Sequence, residues 1–370
     1  MKIIMILLFI SLILVSGCIS QVSDKQAAKI GIIIPLTGAS SDAGNYVRQG
    51  MLLGQGEINN ATNRKYNVEL ILEDSQFKSD LAVSAMQKLM NLDSVKFVIG
   101  ELGSSQTLAL APIAEENKII LITPGAQTTK ITDAGNYIFR TQINTRQEAE
   151  FFSGFIKDKA GNKPLALIVW NTDYGISYVD DYMRFYNETG SVIGSVQKFD
   201  TQETDFRTIL LKIKDNGERN ALIAGNRKHI GTILKQASEL GMNITFFASS
   251  LAEGKDMLDT AGSAAEGLMY PYPLDSESTD TVQQEFQTKY QQLYGTKSEM
   301  YGATGYDTLY ILSNCFEKVG TDVEKVKQCL YDTKDYRGAS GILSFDKNGD
   351  VSKPFIIKTI RNGTFMKYEE

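Results

Sequence analysis

The chain has 370 residues, 42% of them apolar and 22% charged, with 7 prolines. That length predicts two domains, and the composition supplies apolar material for two cores. A net charge of −6 argues against a general nucleic-acid or anionic-membrane surface, while leaving room for a local charged pocket.

At the N-terminus Lys2 precedes an apolar run, Ile3 to Val15, which has the length of a signal-peptide core and is short for a membrane span. It ends in Leu14-Val15-Ser16-Gly17-Cys18. This order resembles a lipobox, in which the chain is cut before the cysteine and the thiol then carries a lipid. The alternative is a plain signal peptide with an incidental cysteine. The reading adopted is a signal peptide over 1–17, lipid attachment at Cys18, and a polar tether over 18–28 that holds the protein to a membrane face without spanning it. Cys315 and Cys329 remain. In an oxidising compartment such a pair reads as a disulfide, the alternative being two buried thiols.

Lys29 to Ile34 is a short apolar run rich in β-branched residues and predicts a buried strand. A helix follows over Gly44 to Asn59, then a strand at Val68–Leu72 and a helix from Ser79 to about Met90. A third strand, Val95–Ile99, leads into Gly103-Ser104-Ser105 and a helix over Leu108–Asn117. A fourth, Ile119–Ile122, leads into Thr123-Pro124-Gly125-Ala126. This alternation predicts a parallel sheet with right-handed crossovers, and ligands of such sheets sit beyond the carboxyl ends of the strands. The Gly-Ser-Ser loop has two readings: an ordinary N-cap, or an anion cradle built from free N–H groups, hydroxyls and the positive helix end.

After a short strand at Tyr137–Thr141 and a candidate hinge at Ile143-Asn144, the alternation resumes. Helices are predicted over Glu148–Lys159, Tyr178–Thr189, Phe206–Asn216 and Ile230–Leu240. Strands are predicted at Leu165–Val169, Val192–Phe199, Ala221–Ala224 and Thr245–Ala248. The chain is then expected to cross back near Gly267–Tyr270. Helices over Thr281–Tyr294, Gly302–Val319 and Val323–Tyr331 would cover the first unit. A hairpin of Ile342–Phe345 with Phe355–Ile360 closes the chain around the Asp346–Asp350 turn.

Catalytic machinery is missing from this pattern. The chain has one histidine, His229, inside Arg227-Lys228-His229, and it has neither a Gly-x-Ser-x-Gly elbow nor a phosphate-binding loop. No metal site and no cofactor are expected. Two α/β units, a hinge and a cleft without reactive groups describe a binding protein that closes on its ligand.

The chain resembles the extracellular solute-binding proteins of branched-chain amino-acid ABC importers, the leucine/isoleucine/valine type with the type I periplasmic-binding fold. The residues that carry this are IGIIIPLTG at 30–38, the loop at 103–105, ITPGA at 122–126, YIFRT at 137–141, DYG at 173–175, ETDF at 203–206, GYD at 305–307 and GASGILSFDKNGD at 338–350. The resemblance implies two doubly wound Rossmann-like lobes joined by a three-strand hinge. The first would hold 29–143 and 274–337, the second 144–273 and 338–370. It implies a non-enzymatic protein that takes a small polar ligand of the amino-acid class and docks on permease subunits. It touches the membrane through its lipid only and binds no nucleic acid. A sensor for a small amide or carboxylate is the alternative.

By the same resemblance, Ser104 and Ser105 would receive a ligand carboxylate, the Gly125 carbonyl an ammonium, and Tyr174 would close over the ligand. Gln127 stands where the family has a threonine, and Asn226 where leucine-binding members carry an aromatic residue. Ser250 stands where they carry the glutamate that pairs with the ammonium, and Ala43 replaces a tyrosine. Glu253, Glu101 and Asp42 are the candidate replacements for that glutamate.

Overall fold

The computed structural model describes residues 25–161, 163–274 and 278–369. The expected leader, Cys18 and most of the tether lie outside the described residues. Among those described, no helix is long and apolar enough to cross a membrane.

The first sheet contains β1 Gln26–Ile34, β2 Tyr66–Asp74, β3 Phe97–Gly100, β4 Ile120–Thr123 and β5 Ile138–Arg140. Its spatial order is β2-β1-β3-β4-β5, and every pair is parallel. β3 and β4 are buried along their whole length, as unbroken apolar runs require when helices cover both faces. The crossovers are α1 Ser41–Asn60, α2 Ser79–Asn91 and α3 Ser104–Glu116.

α4 Thr145–Ala160 opens the second lobe. Its start falls at the position expected for a hinge: the Asn144 side chain accepts from Gln147 N, and Gln147 bonds back to Asn144 N, forming a capping box. β6 Leu165–Trp170, α5 Asp173–Glu188, β7 Ile193–Phe199, α6 Arg207–Asp215, β8 Asn220–Ala224, α7 Arg227–Glu239 and β9 Thr245–Ala248 follow. α8 Lys255–Ala261 and β10 Met269–Tyr272 complete the run. The sequence reading has the chain cross back after this point but does not predict its last strand. Met269–Tyr272 is a fifth parallel strand, paired to β9 through Met269 and Phe247.

The chain then returns through α9 Thr281–Tyr294, α10 Met300–Val319 and α11 Val323–Tyr331. α10 packs against α1 at a glycine contact. A Cβ on Gly50 would lie 2.0 Å from the Gly302 carbonyl oxygen, so only glycine lets the two backbones approach this closely. A disulfide joins Cys315 on α10 to Cys329 on α11, with Cα atoms 5.8 Å apart.

The terminal hairpin is also corrected. β11 Tyr336–Gly338 pairs with β12 Gly341–Leu343. β13 Ile356–Arg361 instead joins the second sheet, between β10 and β14 Thr364–Lys367, antiparallel to both. The second sheet has the order β14-β13-β10-β9-β8-β6-β7. The Asp346–Asp350 turn closes only a bridge between Phe345 and Val351.

Residues 338–351, which the sequence reading assigned to the second lobe, bond on both sides of the crossing: Gln147 of α4 donates to the Val351 carbonyl at 2.9 Å and Asn144 Nδ2 to Asp350 Oδ2 at 3.4 Å, while other bonds run to the first lobe. Ala339 N and Ser340 N donate to the Asp307 carboxylate at 2.7 Å each. Asp350 pairs with Arg140, whose side chain is fully buried. That guanidinium donates to Asp350 Oδ1 from Nε at 3.0 Å and from Nη2 at 2.6 Å, and to the Thr128 carbonyl from Nη1 at 2.7 Å. Removing one member of a buried pair strands the other's charge, so Asp350→Ala is expected to lower unfolding free energy by about 3–5 kcal/mol. Urea denaturation followed by circular dichroism checks this; a loss below about 1 kcal/mol would count against a stabilising role for the Arg140–Asp350 pair.

Candidate functional site

The carboxyl ends of both sheets face one cavity of about 990 Å³, at the top of the usual range for small-molecule sites. Helix starts form much of its wall. α1 contributes Ser41 and Asp42, and α2 contributes Ser79 and Asp80. α3 contributes Ser104 and Ser105, α5 Tyr174, and α7 Arg227 and Lys228. Each helix start has N–H groups without intrahelical acceptors and a partial positive charge.

Ser104 and Ser105 are the first two residues of α3. Ser104 Oγ accepts from Thr128 N at 3.1 Å, which leaves its own proton free to donate. Ser105 faces the second lobe: its Oγ donates to Asp173 Oδ2 at 2.8 Å and accepts from Asp173 N at 3.3 Å. Lys130 Nζ reaches the same carboxylate at 2.7 Å. Beneath the loop, buried Glu101 accepts from Leu102 N and Gly103 N. Burial pushes its carboxyl up to about 7.

Gly125 packs closely on Leu102, bringing the 102–105 and 123–128 loops together. Gln127 Nε2 donates to Ser250 Oγ at 3.3 Å, whereas its buried Oε1 has no partner. Tyr174 is buried as the second residue of α5, with its ring 5.5 Å from that of Tyr178. A Cβ on Gly175 would sit 1.7 Å from the Trp170 carbonyl oxygen, which explains the glycine of the DYG motif.

Asn226 and Ser250 also have structural partners. Asn226 lines the cavity, but it is the N-cap of α7 and its side chain accepts from His229 N at 2.9 Å. Ser250 is completely buried behind the wall, where its N–H donates to Glu148 Oε2 at 3.3 Å. Of the candidate carboxylates, Glu253 is held by Lys358 and Tyr270, away from the cavity lining. Asp42 does reach the cavity, where it is paired with Arg227 at 2.8 Å.

Arg227 is the residue that sequence reading missed. Its guanidinium, 6% exposed, crosses into the first lobe. Nη1 binds Asp42 and Nη2 binds Glu299 Oε2 at 2.5 Å. The rings of Tyr46 and Tyr301 lie 5.7 and 5.6 Å from it. Phe77 of the first lobe stacks on Trp170 of the second at 5.7 Å. Among the described residues, no group of three or more His, Cys, Asp or Glu side chains is placed to hold a metal ion.

Glu148 also accepts from the Tyr178 hydroxyl at 2.8 Å, and burial pushes its carboxyl from the usual 4.5 to about 7. A carboxyl raised by folding binds its proton more tightly in the native state. Its contribution is therefore full below about pH 4.5 and is lost as pH rises through about 7. Glu148→Gln should flatten the fall in stability across that interval by up to about 3 kcal/mol. Urea midpoints at the two ends of the interval check this, and an unchanged slope would contradict it.

The sequence profile of the periplasmic binding protein family matches residues 27–364. A curated relative is the leucine-, isoleucine-, valine-, threonine- and alanine-binding protein of Pseudomonas aeruginosa, 25% identical, with 91% of this chain and 90% of that one covered. The crystal structure of a leucine-binding protein from Thermotoga maritima superposes with a TM-score of 0.87 at 27% identity, covering 92% of this chain and 98% of that one. The solute-binding protein of an ABC transporter from R. palustris, in complex with benzoate, shares the fold with a TM-score of 0.85 at 18% identity, covering 92% and 95%. With its type I fold and these relatives, the chain belongs to the periplasmic binding protein family, as a solute-binding and not a catalytic member.

Proposed function

We propose that the protein is a lipid-anchored, extracytoplasmic solute-binding protein. It captures a small carboxylate in the cavity between its lobes and delivers it to the permease subunits of an ABC importer. The observation that carries this reading is Ser104. It stands at the start of α3 in the cavity wall, with its oxygen taken by Thr128 N and its proton left to donate. A carboxylate placed there meets that hydroxyl, the free N–H groups of the first helical turn and the positive helix end. Amino acids are the solutes named for the Pseudomonas aeruginosa relative, and Gly125, Gln127 and Tyr174 line the same cavity. Asn226 is proposed as a wall residue. Ser250 acts from behind the wall, by holding the Gln127 amide.

The anchor rests on the Cys18 pattern, and a free or tethered protein would work with the same cleft. Cys18→Ser is expected to move the protein from the membrane fraction to the soluble fraction; retention in the membrane would remove the lipid from the proposal.

For the cleft, a thermal-shift screen of amino acids and organic acids on the full chain in detergent is the direct test. A true ligand at 100 times its Kd adds about 2.7 kcal/mol of stability. Ser104→Ala, losing about 1.5 kcal/mol of charge-assisted hydrogen bonding, should weaken the best carboxylate about tenfold by calorimetry. Unchanged affinity in a folded variant would remove Ser104 from the site.

A further inference from the structure

We propose that the cavity selects carboxylates that carry no ammonium group, and among them aromatic monocarboxylates, because the protein's own Arg227 stands in for the ligand cation. The inference rests on the carboxylate reading of Ser104 and adds the chemistry of the other end.

An ammonium enclosed in a cleft needs a carboxylate, since a neutral acceptor leaves its charge uncompensated. The buried carboxylates around this cleft are already engaged. Glu101 holds the N–H groups of its own loop. Glu148 takes Tyr178 and Ser250. Asp42, which lines the cavity, is bound together with Glu299 by Arg227. Arg227 is no casual surface cation. It comes from the second lobe, lies buried between two first-lobe tyrosine rings, and meets both carboxylates within 2.8 Å.

The remaining lining does not favour a cation either. Its formal charges balance, with Arg227, Lys78 and Lys228 against Asp42, Asp80 and Glu203. The converging helix starts then add partial positive charge. Glu203 spends its Oε1 on Thr204 N and Asp205 N, and Asp80 is exposed. Among the unpartnered polar atoms of lining residues, Gln127 Oε1 is a neutral amide oxygen that suits a ligand hydroxyl. The body of the cavity is aromatic, with Phe77 stacked on Trp170 and the rings of Tyr174 and Tyr301 in the wall. Trp170 Nε1 is buried without a partner, a second polar atom for a ring substituent. A flat acid without an amine fits this set of groups, whereas an α-ammonium finds the buried carboxylates already engaged and is left with exposed Asp80 and with Glu203, one oxygen of which is held by backbone N–H groups.

Matched pairs test the inference on the full chain by calorimetry: phenylalanine against 3-phenylpropanoate, tyrosine against 3-(4-hydroxyphenyl)propanoate, and leucine against 4-methylpentanoate, with 4-hydroxybenzoate alongside. The expected result is that the amine-free aromatic member binds at least about tenfold tighter than its amino acid, a difference of about 1.4 kcal/mol. Equal or tighter binding of the amino acids would overturn the inference while leaving the carboxylate reading standing. Binding of none of these acids would overturn both. Arg227→Met then frees Asp42 and Glu299 and should shift the ratio toward the amine-bearing members. An unchanged ratio in a folded variant would remove Arg227 as the discriminator. If that variant does not fold, the matched pairs on the unaltered chain decide the question.

Discussion

The fold around the site depends on one charge that has nowhere to go. Arg140 is fully buried at the end of β5, and a guanidinium without water must find its counterion and acceptors in the protein. It finds them in Asp350 and in the Thr128 carbonyl. Its backbone N–H also takes the Gly349 carbonyl at 2.9 Å. The turn at 346–350 is thereby fixed beneath the crossing of the chain between lobes. The 126–128 loop is fixed as well, and Thr128 N is the donor that holds the Ser104 hydroxyl. The motifs YIFRT and FDKNGD are far apart in sequence, yet they supply the two halves of this one ion pair.

Much of the fold was legible because its central strands are buried on both faces. Runs such as Leu165–Trp170, buried throughout, carry their own signature. The strand at Met269–Tyr272 did not, because it contains Pro271, and proline reads against an inner strand. The chain tolerates it since pairing to β9 runs only through Met269. The hairpin error has a similar root. Asp346–Asp350 is a sound turn, but a turn does not specify which strands continue from it. Buried Lys353, donating to Ser340 Oγ at 3.0 Å, belongs to the segment that carries the chain to the other sheet.

At the site, legibility followed the range of the interactions. Ser104 and Tyr174 sit at helix starts whose local pattern announces them. In the sequence Arg227 is only one member of the cationic stretch Arg227-Lys228-His229, because its partners are 185 and 72 residues away. The usable clue was position: an arginine directly after an N-cap asparagine, at the carboxyl end of a buried strand. Asn226 and Ser250 were assigned to the ligand by resemblance, and the structure adds long-range or local partners that the sequence did not announce: the α7 N-cap bond for Asn226 Oδ1, and Gln127 and Glu148 for Ser250.

The ion pairs that join the lobes differ in how far dissolved salt can reach them. Lys130 and Asp173 have side chains 51% and 30% exposed, whereas Arg227 and Glu299 are 6% and 9% exposed. Dissolved salt screens charges over a Debye length of about 8 Å at physiological ionic strength, and it acts on exposed pairs far more than on enclosed ones. A brackish or saline medium would therefore loosen the first link and leave the second nearly untouched. The enclosed link between the lobes is thus largely insulated from the saltiness of the surroundings.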